Sequence, residues 1–107
     1  MTEYIGRRLP NGTTHVFVVE PKGERPLDMR RDLLKYAEHF DWGYAAAPPM
    51  QLALAILADC LGDDDAASKL HHNYLWVYVS SWSHDGFAVT DADVRSAVNK
   101  LRVESAV

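Results

Sequence analysis

Polar and apolar residues alternate along the first 20 positions of the chain. Tyr4–Leu9 and Thr14–Glu20 both have the pattern of strands, and a short segment containing Asn11-Gly12 separates them. Because Asn-Gly readily adopts the positive φ angles of a tight turn, the pattern predicts an N-terminal β-hairpin. On the second strand, alternate side chains are predicted to face opposite sides of the sheet, with Val16 and Val18 on one side and His15, Phe17 and Val19 on the other.

The most apolar segment predicts a helix at the centre of the fold. The pair Pro48-Pro49 suits a first helical turn, where the missing N–H of proline costs nothing, and Gly62 is a natural left-handed C-cap. Within Met50–Leu61 only Gln51 and Asp59 are polar. A helix that is apolar on nearly all sides belongs in the core.

A second long helix is predicted from about Asp65 to Trp82. The acidic run 63–65 supplies a cap and suits the positive end of the helix dipole. Two apolar stripes follow at helical spacing. The stripe expected to face the core contains Ala67, Leu70, Tyr74, Val77 and Ser81, and the displaced stripe contains Leu75, Val79 and Trp82.

The C-terminal part predicts one more strand and one more helix. Phe87–Val89 follows a turn at Asp85-Gly86 and is predicted to add an edge strand. Thr90, with Asp93 three residues later, forms a weak capping box at the start of the last helix. The buried stripe expected for that helix contains Val94, Ala97, Val98 and Leu101.

The middle of the chain is less regular. Pro21, Gly23 and Pro26 mark a loop. Asp28–Phe40 has apolar residues at helical spacing and an aspartate able to cap, but the pattern leaves open whether the segment is a helix or irregular. The alternation of Phe40–Tyr44 predicts a short strand.

These elements predict a single α+β domain over residues 1–107, in which a small antiparallel sheet packs against the central helix and two or three others. The net charge of −4 and the absence of a concentrated basic face argue against direct nucleic-acid binding. Cys60 is the only cysteine, no apolar run is long enough for a bilayer, and the first residues do not form a signal peptide, so a cytoplasmic protein without membrane contact is expected.

Two segments together carry a family resemblance. The Trp-Gly-Tyr sequence within Phe40–Tyr44 precedes Gln-Leu-Ala-Leu-Ala at 51–55, and both Tyr4–Arg8 and the segment 62–71 fit the same pattern. The chain resembles a family of small proteins, a domain of unknown function found in bacteria, archaea, phages and mobile elements. The resemblance implies a setting of genetic conflict, where small proteins bind and block. The loop Ala45–Pro48 lacks the glycines of relatives, so the expectation of anion binding by that loop does not carry over.

We therefore expect a small non-catalytic protein-binding inhibitor or modulator, encoded by a phage or mobile element. From the setting of the family, its target is expected to be a host defence complex such as CRISPR–Cas, which would make it anti-CRISPR-like. Trp76, Tyr78, Val79 and Trp82 are the predicted partner-binding residues, because tryptophan and tyrosine dominate interface energetics. The partner is a host protein or a second copy of this chain, and packing of these residues in the core remains the alternative.

An alternative function is that of a small enzyme or ligand-binding domain. Its predicted pocket would be formed by Trp42, Tyr44, Gln51 and Asp59. For Asp59, the only acid in the central helix, a structural role is favoured, in which it accepts hydrogen bonds from Trp42 or an arginine.

No motif predicts a catalytic residue, a metal ligand or a cofactor. The neighbours His71 and His72 would point about 100° apart on a helix, which suits two surface histidines better than one metal site. Ser80, Ser81 and Ser83 lie near His84-Asp85, but no nucleophile elbow is present. Cys60, within the apolar helix, is expected to be a buried small hydrophobe.

Overall fold

A four-stranded antiparallel sheet forms one layer of the protein in the computed structural model, which describes residues 1–105 and the side chains of residues 1–103. The sheet order is β3-β2-β1-β4, with β1 at Glu3–Arg8, β2 at Thr14–Glu20, β3 at Gly23–Pro26 and β4 at Gly86–Thr90. The helices are α1 (Ala47–Leu61), α2 (Asp64–Val77) and α3 (Asp91–Ser105), and a 3-10 turn at Val79–Ser81 follows α2. This arrangement confirms the predicted α+β class.

The N-terminal hairpin forms as predicted, with a slightly wider turn. The pairing of β1 with β2 runs from Arg8 opposite Thr14 to Glu3 opposite Val19. The Leu9 N–H donates to the Thr13 carbonyl at 2.8 Å, so three residues close the turn, and of these only Gly12 has a positive φ, at 89°. The local signal therefore placed the turn correctly, although a two-residue hairpin loop does not form.

The two faces of the sheet have different surroundings. Tyr4, Val16 and Val18 are buried on the face that packs against the helices, which we call the inner face. Ile5 and Phe17 lie on the opposite face, the outer face, and are only partly buried. The alternation predicted for β2 is confirmed, because the side chains of a strand point alternately to the two sides of the sheet.

Strand β3 lies in a segment that the sequence predicts as a loop. It pairs with β2 from Pro26 opposite Phe17 to Gly23 opposite Glu20, and all four of its residues are exposed. A proline and exposed polar residues are typical of an edge strand, where one row of backbone groups needs no partner. Because Pro21, Gly23 and Pro26 are typical of a loop, the sequence does not predict β3, which is identified only by its pairing with β2.

Helix α1 occupies the centre of the fold, as predicted. Every residue from Gln51 to Ala58 is buried, as are Pro49 and Cys60. Gly62 ends the helix in the left-handed conformation at φ 62°, and its N–H donates to the Ala58 carbonyl at 3.1 Å. That conformation favours glycine because it has no Cβ to clash with the backbone.

Helix α2 ends five residues earlier than the predicted Trp82. Asp63 caps its start by accepting from the Ala66 N–H at 3.1 Å, and the helix stops at Val77. The predicted core stripe was therefore wrong at its end: Val77 is 51 % exposed, whereas Leu75 and Val79 are 1 % and 0 % exposed. A 3-10 turn after the helix changes the angle between successive side chains, so that Val79 points into the core.

The segment between β3 and α1 forms no regular helix or strand from residue 27 to residue 46. The apolar spacing of Asp28–Phe40 therefore does not indicate a helix. Arg30 has a positive φ of 54°, which interrupts a right-handed helix, and its N–H donates to Asp28 Oδ1 at 2.9 Å. Aspartate here makes a local turn instead of a helix cap, a common competition for this residue type.

The short strand predicted at Phe40–Tyr44 is also wrong. Phe40 and Trp42 are buried, at 8 % and 0 % exposure, so the alternation of burial is real. The Trp42 N–H, however, donates to the carboxylate of Asp41 at 2.9 Å, and the segment pairs with no strand. Alternating burial thus marks a chain that runs along the edge of the core, which the sequence alone does not distinguish from a strand.

The C-terminal elements follow the prediction closely. Strand β4 lies at the edge of the sheet beside β1, and the capping box at the start of α3 forms. The Thr90 N–H donates to Asp93 Oδ2 at 3.0 Å, and the Asp93 N–H donates to Thr90 Oγ1 at 3.1 Å. Among the helices of residues 1–105, none combines the length and apolar character needed to span a bilayer.

Candidate protein-binding surface

The most exposed large apolar side chains in the middle of the chain lie at the end of α2. Trp76 is 65 % exposed and Val77 is 51 % exposed. Successive residues of a helix point about 100° apart, so Val77 lies between Trp76 and Tyr78 on the helix surface. Trp76 and Val77 are thus neighbouring exposed apolar side chains, and Tyr78 follows them as the partly exposed C-cap of the helix. We call these three residues the apolar strip.

The strip leads to a cleft of about 230 Å³, which we call the aromatic cleft. It lies between the end of α2, strand β4 and helix α3. Three aromatic residues form one wall, and Asp93 and Lys100 bring one carboxylate and one ammonium group. The complete lining is Tyr74, Tyr78, Trp82, Val89, Asp93, Ser96, Ala97 and Lys100.

The structure divides the four predicted partner-binding residues into three environments. Trp76 is exposed, and Tyr78 and Trp82 are partly exposed in the wall of the cleft. Val79 has no exposed surface and belongs to the core, so it contacts no partner in the folded protein. Its inclusion in the surface was wrong because the prediction continued the helix past Val77.

Aromatic rings continue from the cleft into the core. Trp82 stacks on Phe87 with ring centroids 4.3 Å apart, and Phe87 meets the edge of Trp42 at 5.0 Å. Phe87 lies directly over Gly6, where a Cβ would come within 2.1 Å of the ring. Glycine at that position therefore leaves the space that Phe87 occupies, and Phe87 in turn packs behind Trp82 of the cleft wall.

An ion pair lies beside Trp42, the last ring in the series from Trp82 through Phe87. Arg8 donates to Asp41 Oδ1 at 2.6 Å, and its guanidinium lies 5.1 Å from the centre of the Trp42 ring. The Trp42 indole N–H donates to the Ser83 carbonyl at 2.9 Å. Burial by itself raises the pKa of Asp41, but hydrogen bonds from Arg8, the Trp42 N–H and the Tyr44 hydroxyl outweigh it and hold the pKa below its usual range. Asp41 therefore stays ionised and ties the irregular segment to β1.

Gln51 holds the irregular segment against α1. Its Oε1 accepts from the N–H groups of Tyr36 and Ala37 at 2.8 and 3.1 Å. Its Nε2 donates to the carbonyls of Met29 and Leu34 at 2.7 and 3.1 Å. All the hydrogen-bonding capacity of this buried amide is used by the backbone of one segment, so Gln51 is a structural residue.

His71 of α2 contacts the same segment from the other side. Nδ1 lies 3.0 Å from the Ala67 carbonyl, which only accepts, so this nitrogen carries the proton. Nε2 therefore accepts from the Tyr36 hydroxyl at 2.8 Å. At 1 % exposure His71 is buried, which corrects its description as a surface residue; His72 is exposed. Burial lowers the pKa of His71, and the neutral form fits this pair of hydrogen bonds.

Asp59 forms a separate network where α1 meets the sheet. It accepts from the Tyr4 hydroxyl at 2.7 Å and from Arg25 at 2.9 Å. Burial, followed by the hydrogen bond to Asp59, raises the pKa of Tyr4 far above its usual range. The expectation that an arginine donates to Asp59 is confirmed, whereas Trp42 donates elsewhere.

The four residues of the alternative pocket are not brought together. Trp42 and Gln51 are fully buried, Asp59 bonds to the sheet, and Tyr44 is 43 % exposed at the surface, where its hydroxyl donates to Asp41. Four clefts of the described surface are each lined by other residues. Their side chains hold segments together, each in a different place.

Two of the remaining candidate nucleophiles, Ser80 and Ser81, have local partners. Ser80 Oγ donates to the Trp76 carbonyl at 2.8 Å and Ser81 Oγ to the Tyr78 carbonyl at 2.8 Å, one turn back in the chain. Cys60 is buried as expected, and burial raises the pKa of its thiol. Within residues 1–105, no three histidine, cysteine or acidic side chains are grouped so that they could hold a metal ion.

Sequence reasoning missed several members of this surface, among them Val77, Asp93 and Lys100. Val77 was assigned to the core, and Asp93 and Lys100 were considered only for their effects on α3. The amphipathic pattern of α3 already shows that residues 93, 96 and 100 share one side of that helix. What the sequence did not show is that this side meets Tyr78 and Trp82 across a cleft.

Residues 4–100 match the model of one protein family, described as a family of unknown function (DUF6166). No curated protein and no solved structure matches the chain.

Proposed function

We propose that this chain, which belongs to the DUF6166 family of unknown function, is a non-catalytic protein-binding module that presents the end of α2 to a protein partner. The observation that carries the proposal is the contrast between Trp76, 65 % exposed, and its neighbour Leu75, 1 % exposed. An exposed tryptophan contributes nothing to the core, yet it is among the residues that contribute most when an interface buries them.

The aromatic cleft supplies the second half of the binding surface. Its volume of about 230 Å³ is below the range of about 300–1,000 Å³ typical of small-molecule pockets. It suits a single apolar side chain of a partner, which Tyr78 and Trp82 would contact while Lys100 and Asp93 bind polar groups at the rim. We propose that Trp76 and Val77 lie flat against the partner while one partner side chain enters the cleft.

The finer form of the proposal concerns the target. We propose that the protein is encoded by a phage or mobile element and acts in the cytosol on a host defence complex such as CRISPR–Cas, as an inhibitor or modulator. This part rests on the sequence resemblance and its setting. The net charge of −4 supports a protein target over a nucleic acid, because phosphate binding needs a concentrated basic surface.

The test is a capture experiment with matched variants. Wild-type protein is immobilised and exposed to lysate of candidate hosts and to purified CRISPR–Cas effector complexes, and any partner is identified by mass spectrometry. Trp76→Ala and Tyr78→Ala are then compared with Leu9→Ala, an exposed apolar side chain in the hairpin turn, 42 % exposed. We expect each α2 variant to weaken binding about 30-fold or more, as for a truncated interface anchor.

The stability of each variant is measured beside its affinity. Trp76→Ala should change the free energy of unfolding by no more than about 0.5 kcal/mol, since the side chain is mostly in water. Full affinity of both α2 variants for the captured partner would refute the proposed surface. A partner unrelated to defence would refute only the finer target, and turnover of a substrate by the purified protein would refute the non-catalytic assignment.

A further inference from the structure

The outer face of the sheet carries an apolar row that no described element covers. Ala88, Ile5, Phe17 and Pro26 lie opposite one another on the four strands, from β4 to β3. Ile5 and Phe17 are partly exposed and lie outside the core cluster, which occupies the inner face. A partly exposed apolar row that crosses all four strands is the kind of surface that marks an interaction site.

Charged side chains flank this row in an ordered way. On one side of the apolar row, two residues from Ile5 on β1 and from Phe17 on β2, Arg7 lies opposite His15. On the other side of the apolar row, at the same separation, Glu3 of β1 lies opposite Val19 of β2. Val19 in turn lies opposite Glu24 of β3. The apolar row thus separates a basic row from an acidic row on the same face.

The flanking charges have no ion-pair partner among the side chains of residues 1–103. None of the ion pairs among the described residues includes Glu3, Arg7 or Glu24. Glu3 and Arg7 lie four residues apart on one strand, a distance of about 13 Å, so they do not pair with each other. Each is available to a charge of opposite sign on another molecule.

We propose that the outer face binds a second copy of this chain, face to face, about a two-fold axis that runs across the strands along the apolar row. Such an axis turns the second sheet over and reverses the order of its rows. Ile5 and Phe17 of the two copies then pack together, and Arg7 of each copy lies over Glu3 of the other. Sheets that pack face to face keep their strands within about 30° of each other, which this arrangement satisfies.

The charge pattern favours a two-fold axis across the strands over a two-fold axis parallel to them. A two-fold axis parallel to the strands would place the basic row over the basic row and the acidic row over the acidic row. About that axis the Arg7 of each copy faces no carboxylate, whereas the chosen axis forms two symmetry-related pairs of opposite charge between Arg7 and Glu3. The face is therefore complementary to itself in one orientation only.

The size of the face sets the strength of the association. Four strands spaced about 4.8 Å apart and three rows of side chains cover about 400 Å² on each copy. A standard stable interface buries about 800 Å² on each partner, so the dimer is expected to be weak and to form only at high protein concentration.

The test is sedimentation of the full chain between about 10 µM and 1 mM, with Arg7→Glu, Glu3→Arg and the double variant that carries both. We expect the wild type to associate with rising concentration. Each single substitution turns two attractive pairs into two repulsive ones and should weaken association at least tenfold. The double variant exchanges the signs and should recover the wild-type constant to within about threefold.

Two controls separate the proposal from simpler explanations. Lys35→Glu makes the same charge change as Arg7→Glu at an exposed position off the sheet, and should leave association unchanged. Trp76→Ala removes the proposed partner-binding anchor on α2 and should also leave it unchanged, so failure of one surface does not imply failure of the other. NMR spectra of the wild type on dilution should shift at Ile5 and Phe17. A chain that stays monomeric at 1 mM, or a double variant no better than the single ones, would overturn the proposal.

Discussion

Helices α1 and α2 pack against each other and are nearly equal in length, at 15 and 14 residues, yet their surfaces are used differently. Helix α1 is buried on almost every side, including an unbroken run from residue 51 to residue 58. Helix α2 buries only one side and leaves Trp76 and Val77 in water. The comparison teaches that the stability of the fold depends on α1, whereas the outer side of α2 is free to carry a partner-binding surface.

The two helices also share one feature. Each has a single buried polar side chain, Gln51 on α1 and His71 on α2, and both bind the irregular segment 27–46. Gln51 uses four hydrogen bonds to the backbone and does not titrate. His71 uses one hydrogen bond to the Tyr36 hydroxyl and does titrate. Changing the pH should therefore separate the two attachments.

The largest effect is expected from a cavity in α1. Leu54→Ala should lower the free energy of unfolding by about 2–5 kcal/mol, because burial is lost and the rigid surroundings do not fill the space. Urea denaturation measures it. Val77→Ala, at an exposed apolar position of α2, is the matched control and should cost no more than about 0.5 kcal/mol. Equal losses in the two variants would remove the distinction between the helices.

A smaller loss is expected when the irregular segment loses its attachment to α1. Gln51→Ala leaves two N–H groups and two carbonyls of the segment without partners, and water entering the space satisfies some of them. We expect a loss of about 2–3 kcal/mol in urea denaturation, together with faster amide hydrogen exchange at Tyr36 and Ala37.

The variant Gln51→Glu sharpens this test. It keeps the oxygen that accepts from Tyr36 and Ala37 but replaces the donating amide group with a second oxygen, which faces the carbonyls of Met29 and Leu34. Its stability relative to wild type should improve as the pH falls, because a protonated carboxyl donates one hydrogen bond again. Unchanged exchange rates in both variants would show that the segment does not depend on Gln51.

The smallest effect is the pH dependence caused by His71. Burial lowers its pKa below the ordinary value of 6.5, so the unfolded chain binds the proton more readily than the folded protein. The contribution of neutral His71 to the free energy of unfolding is complete above about pH 6.5. It is lost as the pH falls toward the pKa of His71 in the folded protein, and the free energy of unfolding falls by no more than about 1.4 kcal/mol per pH unit. Urea denaturation from pH 7.5 to 5 measures this slope.

Two variants isolate this contribution. His71→Asn should flatten the slope in that pH window, whereas His72→Asn, at an exposed position, should retain it. A wild-type slope that His71→Asn leaves intact would assign the pH dependence to other groups. Loss of the slope in the His72 variant alone would contradict the burial of His71 as its cause.

The elements that could be predicted from the sequence alone are those whose signals are local. Asn11-Gly12 marks the hairpin, Gly62 ends α1, and Thr90 with Asp93 caps α3, because each signal acts through backbone bonds to residues a few positions away. The burial of α1 also followed from its composition alone. The sequence likewise indicated apolar residues in excess of core needs near Trp76, although it placed Val77 in the core and Val79 at the surface.

The places where distant segments meet depend on packing across the whole fold and could not be predicted from local signals. The backbone of residues 27–46 follows hydrogen bonds to Gln51, 14 to 22 positions away, and these outweigh a helical spacing of apolar residues. The aromatic cleft joins α2, β4 and α3, and the complementary rows of the outer face exist only once four strands are in register. The spacing of apolar residues predicts which side of a helix or strand is buried. Which other element covers that side depends on packing across the whole chain.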